Sequence, residues 1–319
     1  MDLTVDRKTE TDKYLECVRP TSFENLIGNK NLKEVLSVAK TGSLKRNESL
    51  GHILLSSPPG LGKTTVARII GGSNTVQLMG PDLDPKTFER FLYMLKERNP
   101  SGRVVFVDEF HSLKRGMKEN LSIIMEDFQL PNHSSVRIIP FTLIAATTDA
   151  GTLHQATRDR FMYCFQLEFY SLEDLSLIAS RTAGILKVKI NAPAMLEIAR
   201  RSRGIPRLTN RFIKILQDWS NNITKSLVEE VLWNKFGVDY LGLGPLDRKV
   251  LYEILKGAGN PVGIVTIASS LQEDQKNIEN TVEPYLLRIG LIHKTPRGRV
   301  LSKDGMDLIA KLNEKVSRK

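Results

Sequence analysis

Residues 56–65 read SSPPGLGKTT, and this stretch decides how the chain around it is organised. The apolar run at residues 52–55 precedes it and predicts a buried strand, and residues 66–70 follow it and predict the start of a helix. A strand, a glycine-rich turn and a helix in this order are the setting of a phosphate-binding loop. The sequence therefore predicts a nucleoside triphosphate site here, with a glycine-rich turn that binds nothing as the alternative.

The predicted loop carries residue types that suit a polyphosphate. Gly60 and Gly62 let the backbone approach the phosphates, toward which the loop amides and the positive helix end point. Lys63 is predicted to reach the β- and γ-phosphates, and Thr64 to offer its hydroxyl to Mg²⁺. Ser57 stands where the pattern expects glycine, which adds strain if this position needs a positive φ. The loop residues predicted to bind ATP are Pro59, Gly60, Leu61, Gly62, Lys63, Thr64 and Thr65.

Composition indicates an ordinary globular chain with an anionic partner. Its 319 residues suffice for two or three domains, and a net charge of +10 favours nucleic acid as the default partner. Cys17 and Cys164 are isolated, without metal-ligand spacing or a disulfide framework, which fits a reducing compartment. Residues 1–13 are polar and predict a flexible tail rather than a signal peptide, and no apolar run is long enough to cross a membrane. We therefore expect a cytoplasmic location.

Two further apolar runs, at residues 104–107 and 141–146, predict strands that are buried on both faces. Apolar strands that alternate with helical stretches predict a parallel α/β sheet. In such a sheet the loops after the strands gather at one edge, where ligands bind. The residues that follow these two runs are therefore candidates for the nucleotide site.

Asp108 and Glu109 follow the second apolar run, and Thr148 lies just beyond the third. We assign Asp108 to Mg²⁺ and Glu109 to the water that attacks the γ-phosphate. The alternative is that these acids only close a strand and cap a helix. The Thr148 hydroxyl can contact the γ-phosphate or the attacking water, and a hydroxyl bound to its own backbone fits the pattern equally well.

Two arginines are candidates for stabilising transition-state charge. Arg160 can project toward the nucleotide of a neighbouring subunit. Arg207 begins a helix, from which it can lean over the phosphates and couple the nucleotide state to the domain angle. On the pattern alone, solvated surface arginines are the more common explanation for both.

Beyond residue 171 the pattern becomes helical. Stretches that predict a small helical domain lie at residues 172–186, 193–202, 205–219 and 226–235. Residues 242–245 read GLGP and predict a hinge. Helical stretches at 247–256, 263–271 and 275–289 and strands at 291–295 and 299–302 then give the outline of a winged helix. The predicted domains are the tail 1–13, a large α/β ATPase domain 14–170, a helical lid 171–242 and a winged-helix DNA-binding domain 243–319.

The predicted hairpin of the winged helix is basic, with no acidic residue from position 294 to 303. Such a wing contacts phosphates rather than reading bases. The residues predicted to contact DNA are Lys294, Arg297, Arg299 and Lys303. The alternative is a solvated charged hairpin.

From residue 19 to 302 the chain resembles the RuvB family of AAA+ ATPases, the bacterial motors of Holliday junction branch migration. Matching stretches include DEFH at 108–111, MEDF at 125–128 and RDRF at 158–161. More specific are RRSRGIPR at 200–207 and TPRGR at 295–299, since many NTPases share the phosphate loop. The resemblance implies a DNA-dependent ATPase that uses ATP and Mg²⁺, forms a hexameric ring around duplex DNA or a Holliday junction, and pairs with RuvA.

The resemblance also implies roles for single residues. Arg160 matches the arginine finger that acts on the neighbouring subunit, Thr148 matches the first sensor, and Arg207 matches the second. The residues that match the segment lining the adenine pocket are Arg19, Pro20, Ile27 and Gly28.

One departure from the family concerns a hairpin that the family uses to engage RuvA. Only residues 128–140 fill the interval in which the family carries a longer hairpin, which argues against a usual RuvA partnership. Ser112 also replaces the usual arginine. We predict an ATP-driven motor for branch migration that hydrolyses ATP at subunit interfaces. The alternatives are an ATP-dependent loader or scaffold that places a partner on DNA without processive translocation, and a DNA-binding regulator with a vestigial nucleotide site.

Overall fold

The computed structural model describes residue 14 and residues 16–72, 75–94, 102–130 and 133–317. The predicted tail at residues 1–13 and part of the predicted hairpin tip, Pro131 and Asn132, lie outside the described residues. Internal contacts divide the chain into two compact units. The first comprises Met1–Lys189 and Gly204–Ile215, and the second comprises Ile190–Arg203 and Leu216–Lys319.

A parallel five-stranded sheet forms the centre of the first unit. Its strands are β1 (Ile53–Ser56), β2 (Val76–Met79), β3 (Val104–Asp108), β6 (Thr142–Thr147) and β7 (Tyr163–Gln166). They run in the order β2-β3-β6-β1-β7, so β1 is hydrogen-bonded to β6 on one side and to β7 on the other. Between β3 and β6 the chain forms a short antiparallel pair, β4 (Gln129–Leu130) and β5 (His133–Arg137). The parallel order brings the ends of β1, β3 and β6 to one edge of the sheet.

Helices alternate with the strands of this sheet, and all but the shortest bury apolar side chains. Those of the first unit are α1 (Lys30–Arg46), α2 (Lys63–Gly71), α3 (Pro85–Met94), α4 (Arg115–Asp127), α5 (Gln155–Arg158) and α6 (Leu172–Ile185). In α4, for example, Leu121 and Ile124 are buried in the same apolar cluster as Val105 and Leu143 of the central strands. This packing confirms the α/β class that the two long apolar runs predict.

The structure extends the predicted secondary structure in two places. Strands β2 and β7 are not predicted, because they form the two edges of the sheet and their side chains are only half buried. Neither segment therefore carries the continuous apolar run of a central strand. Helix α1 ends where Asn47 adopts a left-handed conformation with φ 54°. Among the described residues, none of the helices is long and apolar enough to cross a lipid bilayer.

His52 fastens β1 to two neighbouring elements. Its Nδ1 accepts the Leu143 N–H at 2.9 Å, and its Nε2 lies 3.2 Å from the Met125 carbonyl oxygen. A neutral ring with its proton on Nε2 satisfies both contacts. Burial lowers the pKa of His52, because the charged form would lose hydration.

We expect His52 to make the protein less stable in mild acid. Below about pH 6.5 the unfolded chain binds a proton that the folded chain resists, so the free energy of unfolding rises with pH across this window. Urea unfolding between about pH 7.5 and 5.5 should therefore give a shallower pH dependence for His52→Gln than for wild type. His154→Gln, at an exposed position of the same unit, controls for the substitution itself. Equal slopes for wild type and His52→Gln would contradict the assignment.

The second unit is mainly helical and contains the winged helix. Its helices are α7 (Ala192–Arg201), α9 (Lys225–Val228), α10 (Pro245–Lys256), α11 (Ile264–Leu271), α12 (Gln275–Asn277), α13 (Glu283–Arg288) and α14 (Lys303–Ser317). Helix α8 (Pro206–Trp219) begins in the first unit and ends in the second. The short strands of this half of the chain are β8 (Lys189–Ile190), β9 (Asn222–Ile223), β10 (Ile292–Thr295) and β11 (Gly298–Leu301). Two π-helical turns, Glu229–Lys235 and Ile278–Val282, follow α9 and α12.

The predicted wing is an antiparallel hairpin of β10 and β11. Val262 adds a third segment to it through two backbone hydrogen bonds with Arg299, of 2.9 and 2.8 Å. Gly298 is required at the hairpin turn, since its φ is 148° and a Cβ there would lie 2.4 Å from the Val262 carbonyl oxygen. Helices α10, α11, α13 and α14 share one apolar core with this hairpin, which confirms the winged helix.

The segment predicted as a hinge at residues 242–245 is held in place within the second unit. Leu243 is fully buried, and its N–H donates to Asp239 Oδ1 at 2.8 Å. The Leu243 carbonyl accepts a hydrogen bond of 2.7 Å from Arg248 Nη1. These contacts argue against a hinge at this position.

Candidate nucleotide site and nucleic-acid interface

An open cleft of about 230 Å³ lies within the first unit, where β1, β3 and β6 end. Its walls come from the predicted phosphate loop, the segment after β3, the segment after β6 and the start of α8. The predicted site residues that line it are Arg19, Pro20, Ile27, Pro59, Gly60, Gly62, Lys63, Thr64, Thr65, Asp108, Glu109, Thr148 and Arg207. The fold thus brings together residues that lie far apart in sequence, from Arg19 to Arg207.

Two predicted binding residues, Leu61 and Gly28, are not among the lining residues of the cleft but support them. Leu61 is fully buried beneath the loop. Gly28 has a φ of 76°, and a Cβ there would lie 2.6 Å from the Tyr170 ring. Glycine at position 28 therefore lets the Tyr170 ring pack against the backbone, and the ring itself lines the cleft.

Sequence reasoning missed several residues of the wall. These are Leu26, Tyr170, Ile178, Arg181, Pro206 and Asn210. Asn210 is held by Thr182, whose hydroxyl donates to its Oδ1 at 2.8 Å, and Arg181 donates to the Val18 carbonyl at 2.7 Å. Leu26 and Tyr170 lie outside the helices, and the other four lie on α6 and α8, where an amphipathic pattern does not separate a lining residue from a core residue.

The loop backbone has the geometry of a phosphate cradle. Gly60 and Gly62 adopt positive φ values of 86° and 109°, and a Cβ on Gly60 would lie 2.7 Å from Ile205 Cγ2. Helix α2 starts directly after Gly62, and no side chain caps its first amides, which leaves N–H donors for an anion. Ser57 is not among the described residues with a positive φ. The strain predicted for serine at this position therefore does not arise.

Lys63 lies folded into its own loop. Its buried Nζ donates to the carbonyl oxygens of Ser57 at 2.6 Å and Pro58 at 3.3 Å, and to Ser57 Oγ at 3.2 Å. Burial lowers the pKa of Lys63, while the charges of Asp108 and Glu109 act in the opposite direction. The ammonium is thus kept inside the cradle by neutral oxygens, which a phosphate oxygen can replace.

Two arginines, Arg19 and Arg207, add positive charge to the lining of the cleft. Burial, followed by repulsion from Arg68, lowers the pKa of Arg19 to about 10, and Arg207 acts in the same direction. The Nη1 of Arg19 is buried and has no hydrogen-bond partner among the described residues. Because buried donors are normally satisfied, an orphaned guanidinium group in a basic cleft fits an anionic ligand such as a nucleotide.

The acidic residues of the site lie on a constrained backbone. Glu109 adopts a left-handed conformation with φ 51°, and its N–H donates to Asp108 Oδ1 at 3.0 Å. Gly80 makes this possible, since a Cβ there would lie 2.4 Å from the Glu109 carbonyl oxygen. Strain of this kind is typical of functional positions.

The donor set beside the loop suits Mg²⁺. Asp108 and Thr64 offer hard oxygen ligands on the same cleft. Within the described part of the chain, no group of three or more His, Cys, Asp or Glu residues is placed to hold a metal. A cation here would therefore share its coordination with substrate phosphates and water, which is the usual arrangement for Mg²⁺.

Arg160 does not line the cleft of its own chain. Its Nη2 lies 3.1 Å from Glu126 Oε2, and its Nη1 donates to the Ala156 carbonyl. The side chain remains 28% exposed. The structure therefore does not bring Arg160 to the site that its own subunit forms.

The basic wing contains one residue that differs from the prediction. Lys294, Arg297 and Lys303 are exposed, whereas Arg299 is buried. The Nε of Arg299 donates to Glu283 Oε2 at 2.7 Å, and Lys294 Nζ lies 3.0 Å from the other oxygen of that carboxylate. Arg299 is therefore a structural ion-pair partner, and its assignment to DNA contacts is corrected.

We expect Arg299→Ala to destabilise the second unit by about 3 kcal/mol, because it leaves Glu283 with a buried charge and only the exposed Lys294 as partner. Arg297→Ala, on the same hairpin but exposed, should change stability by less than about 0.5 kcal/mol. Urea unfolding monitored by tryptophan fluorescence measures both. Similar stabilities for the two variants would show that the Arg299 pair contributes nothing.

Family models match the chain in three consecutive parts. They are described as the Holliday junction DNA helicase RuvB P-loop domain at residues 18–167, the RuvB AAA lid domain at 170–239 and the RuvB C-terminal winged helix domain at 240–310. A relative from Crocosphaera subtropica, the Holliday junction branch migration complex subunit RuvB, is 39% identical over 324 residues. That alignment covers 96% of this chain and 90% of the relative.

Solved structures are similar over nearly the same length. The Thermotoga maritima RuvB Holliday junction branch migration motor matches with a TM-score of 0.82 and 36% identity, covering 92% of this chain and 98% of that chain. A mutant of the same protein matches with the same TM-score and coverage and 35% identity. These similarities favour the ATP-driven motor over the loader. The domain boundaries 14–170, 171–242 and 243–319 stay a prediction.

Proposed function

Because the chain belongs to the RuvB family of Holliday junction branch migration ATPases, we propose that it is an ATP-driven motor that moves Holliday junctions in recombination and repair. One observation carries this proposal: Lys63, Asp108, Glu109, Thr148 and Arg207 line a single cleft beside an uncapped helix start. That set contains a phosphate-binding group, a metal ligand, a water-orienting carboxylate and two groups that can contact the γ-phosphate. The winged helix also supports the proposed motor function, because it presents exposed basic residues.

We propose that Lys63 leaves the Ser57 and Pro58 carbonyls when a triphosphate enters and donates instead to the β- and γ-phosphates. Mg²⁺, when bound, neutralises phosphate charge, and Thr64 and Asp108 would hold it. Glu109 orients the attacking water, and Thr148 contacts that water or the γ-phosphate. Arg207, at the start of α8 and next to Gly60 of the loop, contacts the phosphates as well.

The adenine is assigned to the apolar end of the same cleft. Pro20, Ile27, Ile178 and Tyr170 are lining residues of this cleft, and the Tyr170 ring packs against Gly28. Arg19 contributes the orphaned guanidinium group described above, which we assign to the nucleotide. Leu61 and Gly28 shape this part of the site from behind its wall.

Arg160 is proposed to act on the site of a neighbouring copy. Its position outside the cleft of its own chain supports this assignment, since a group that stabilises transition-state charge must reach the transferred phosphoryl. A cyclic assembly in which every subunit supplies one arginine to the next follows from such head-to-tail contacts, and we propose a hexameric ring.

The DNA contacts are proposed for the exposed residues of the wing, Lys294, Arg297 and Lys303. These groups would bind phosphates without sequence preference, so their affinity should fall with salt. The described hairpin of β4 and β5 is short, which supports the earlier expectation that a RuvA-type partner is not engaged in the usual way. A cytoplasmic location stays our prediction from the cysteine usage.

A four-way junction with mobile arms tests the proposed function. We expect the protein with ATP and Mg²⁺ to convert the junction into duplex products, and to convert none with a non-hydrolysable ATP analogue. The same assay is run with and without RuvA from a relative. ATP hydrolysis stimulated by DNA, with no junction movement in either condition, would support the loader and overturn the motor.

A further inference from the structure

His111 is a polar residue of the site that the roles above leave without a function. It lies on the 3₁₀ turn Phe110–Ser112, directly after the strand that carries Asp108. Its Nε2 is 3.4 Å from Glu109 Oε2, and its Nδ1 is 3.1 Å from Thr147 Oγ1. One imidazole ring therefore connects the end of β3 with the end of β6.

The turn that carries His111 is firmly held. Lys118, on α4, donates to the His111 carbonyl at 2.7 Å, and Phe110 is buried in the apolar core. The Ser112 N–H donates to the Glu109 carbonyl at 2.8 Å. The ring thus projects from a fixed backbone position, which is a requirement for a group that orients another side chain.

The hydrogen bonds allow the chemical state that this connection needs. The buried Thr147 Oγ1 accepts the Asp149 N–H at 3.0 Å, so its single proton is available for His111 Nδ1. A neutral imidazole then keeps its own proton on Nε2 and directs it at the Glu109 carboxylate. Each of these three donors, the Asp149 N–H, the Thr147 hydroxyl and His111 Nε2–H, then has an acceptor without a charge on the histidine.

The outer contact, at 3.4 Å, is longer than an ideal hydrogen bond. Catalytic hydrogen bonds in ligand-free sites are often long and shorten in the reactive complex. Thr147 directly precedes Thr148, which lines the cleft at the proposed γ-phosphate position. A nucleotide that contacts Thr148 therefore acts on the same strand end that holds the His111 ring.

We propose that His111 is a positioning residue, which holds the Glu109 carboxylate in the orientation that directs water and links that orientation to Thr147 on β6. This inference rests on the proposed role of Glu109. It assigns the contact with water to Glu109 alone, and His111 acts only through it. Its loss should therefore lower kcat without weakening the binding of ATP.

Three substitutions test the connection. His111→Phe keeps the ring shape but removes both polar contacts, and Thr147→Val removes the hydroxyl at constant volume. We expect each to lower kcat about tenfold to a hundredfold, the range for a hydrogen bond to a charged group, with the Kd for an ATP analogue within about threefold of wild type. His111→Gln can donate to Glu109 and accept from Thr147, so it should recover most of the lost rate.

A double-substitution cycle separates positioning from a merely structural role. In the Glu109→Gln background, His111→Phe should cause no further loss of turnover, because the group it orients is already absent. His154→Phe, at an exposed position of the same unit, is the matched control and should turn over ATP at the wild-type rate. If His111→Phe does not fold, Thr147→Val and His111→Gln carry the same test.

The outcomes are distinct. Wild-type kcat in His111→Phe or Thr147→Val, or a loss that adds fully to that of Glu109→Gln, overturns the positioning role and leaves the proposed function intact. Wild-type turnover in Glu109→Gln itself overturns the proposed site chemistry. A rate loss that is shared, non-additive and restored by His111→Gln supports the proposal.

Discussion

Replacing Arg160 with alanine is expected to lower DNA-stimulated ATP turnover by roughly 10³–10⁵-fold while leaving ATP binding close to the wild-type value. The guanidinium group would stabilise charge that develops on the transferred phosphoryl, which is a contribution to kcat rather than to binding. The cleft of the same chain keeps all its lining residues in this variant, since Arg160 is not one of them. Steady-state hydrolysis and equilibrium binding of a fluorescent ATP analogue measure the two quantities separately.

Arg115→Ala is the matched control for this prediction. Arg115 also forms an ion pair with a glutamate, Glu119 at 3.0 Å, but its side chain is 93% exposed. Its removal should leave turnover unchanged. If Arg160→Ala and Arg115→Ala hydrolyse ATP equally fast, Arg160 has no role in the reaction.

Mixing two inactive proteins distinguishes action on the neighbouring site from action on the same site. Arg160→Ala retains an intact cleft, whereas Lys63→Ala retains an intact arginine. In an equal mixture, about a quarter of head-to-tail interfaces combine the intact cleft with the intact arginine, so activity should return to that order. A mixture as inactive as its components would place Arg160 in the site of its own subunit.

Glu109→Gln is the second large effect, with an expected loss of about 10²–10⁴-fold in turnover. The amide keeps the size of the side chain but lacks the negative charge that orients and polarises the attacking water. ATP binding should persist or tighten, because the change also removes a negative charge beside the phosphates. Single-turnover hydrolysis together with ATP retention on a filter measures both.

Glu119→Gln, an exposed carboxylate on α4, controls for the loss of one negative charge from the same unit. Hydrolysis by Glu109→Gln at the wild-type rate would assign the water to another group. A simultaneous loss of binding and turnover would instead mean that the left-handed backbone at Glu109 collapses, which circular dichroism and urea unfolding can detect.

The central strands and the phosphate loop were predictable because their chemistry is local. The apolar runs that form β3 and β6 reflect burial on both faces of the sheet. The glycines of the loop occupy positions that need positive φ. Asp108 and Glu109 followed from their place at a strand end. In each case a few adjacent residues contain the whole physical reason.

The remainder depends on contacts that no short stretch of sequence contains. Strands β2 and β7 are recognisable only as edges of a sheet that already exists. Arg299 looked like a DNA ligand because Glu283, which binds it, lies on a different element sixteen positions away. Tyr170 reaches the cleft only because Gly28 lets its ring approach the backbone. Such features follow from tertiary structure, and they are where reasoning from pattern fails.

The Arg160–Glu126 contact affects when ATP hydrolysis can begin. If Arg160 acts on a neighbouring site as proposed, its guanidinium group must leave the Glu126 carboxylate of its own chain to reach that site. Contact between two subunits and completion of the catalytic site would then occur in a single step. Isolated copies at low concentration would then not hydrolyse ATP, and turnover would begin only when enough copies assemble on a DNA substrate.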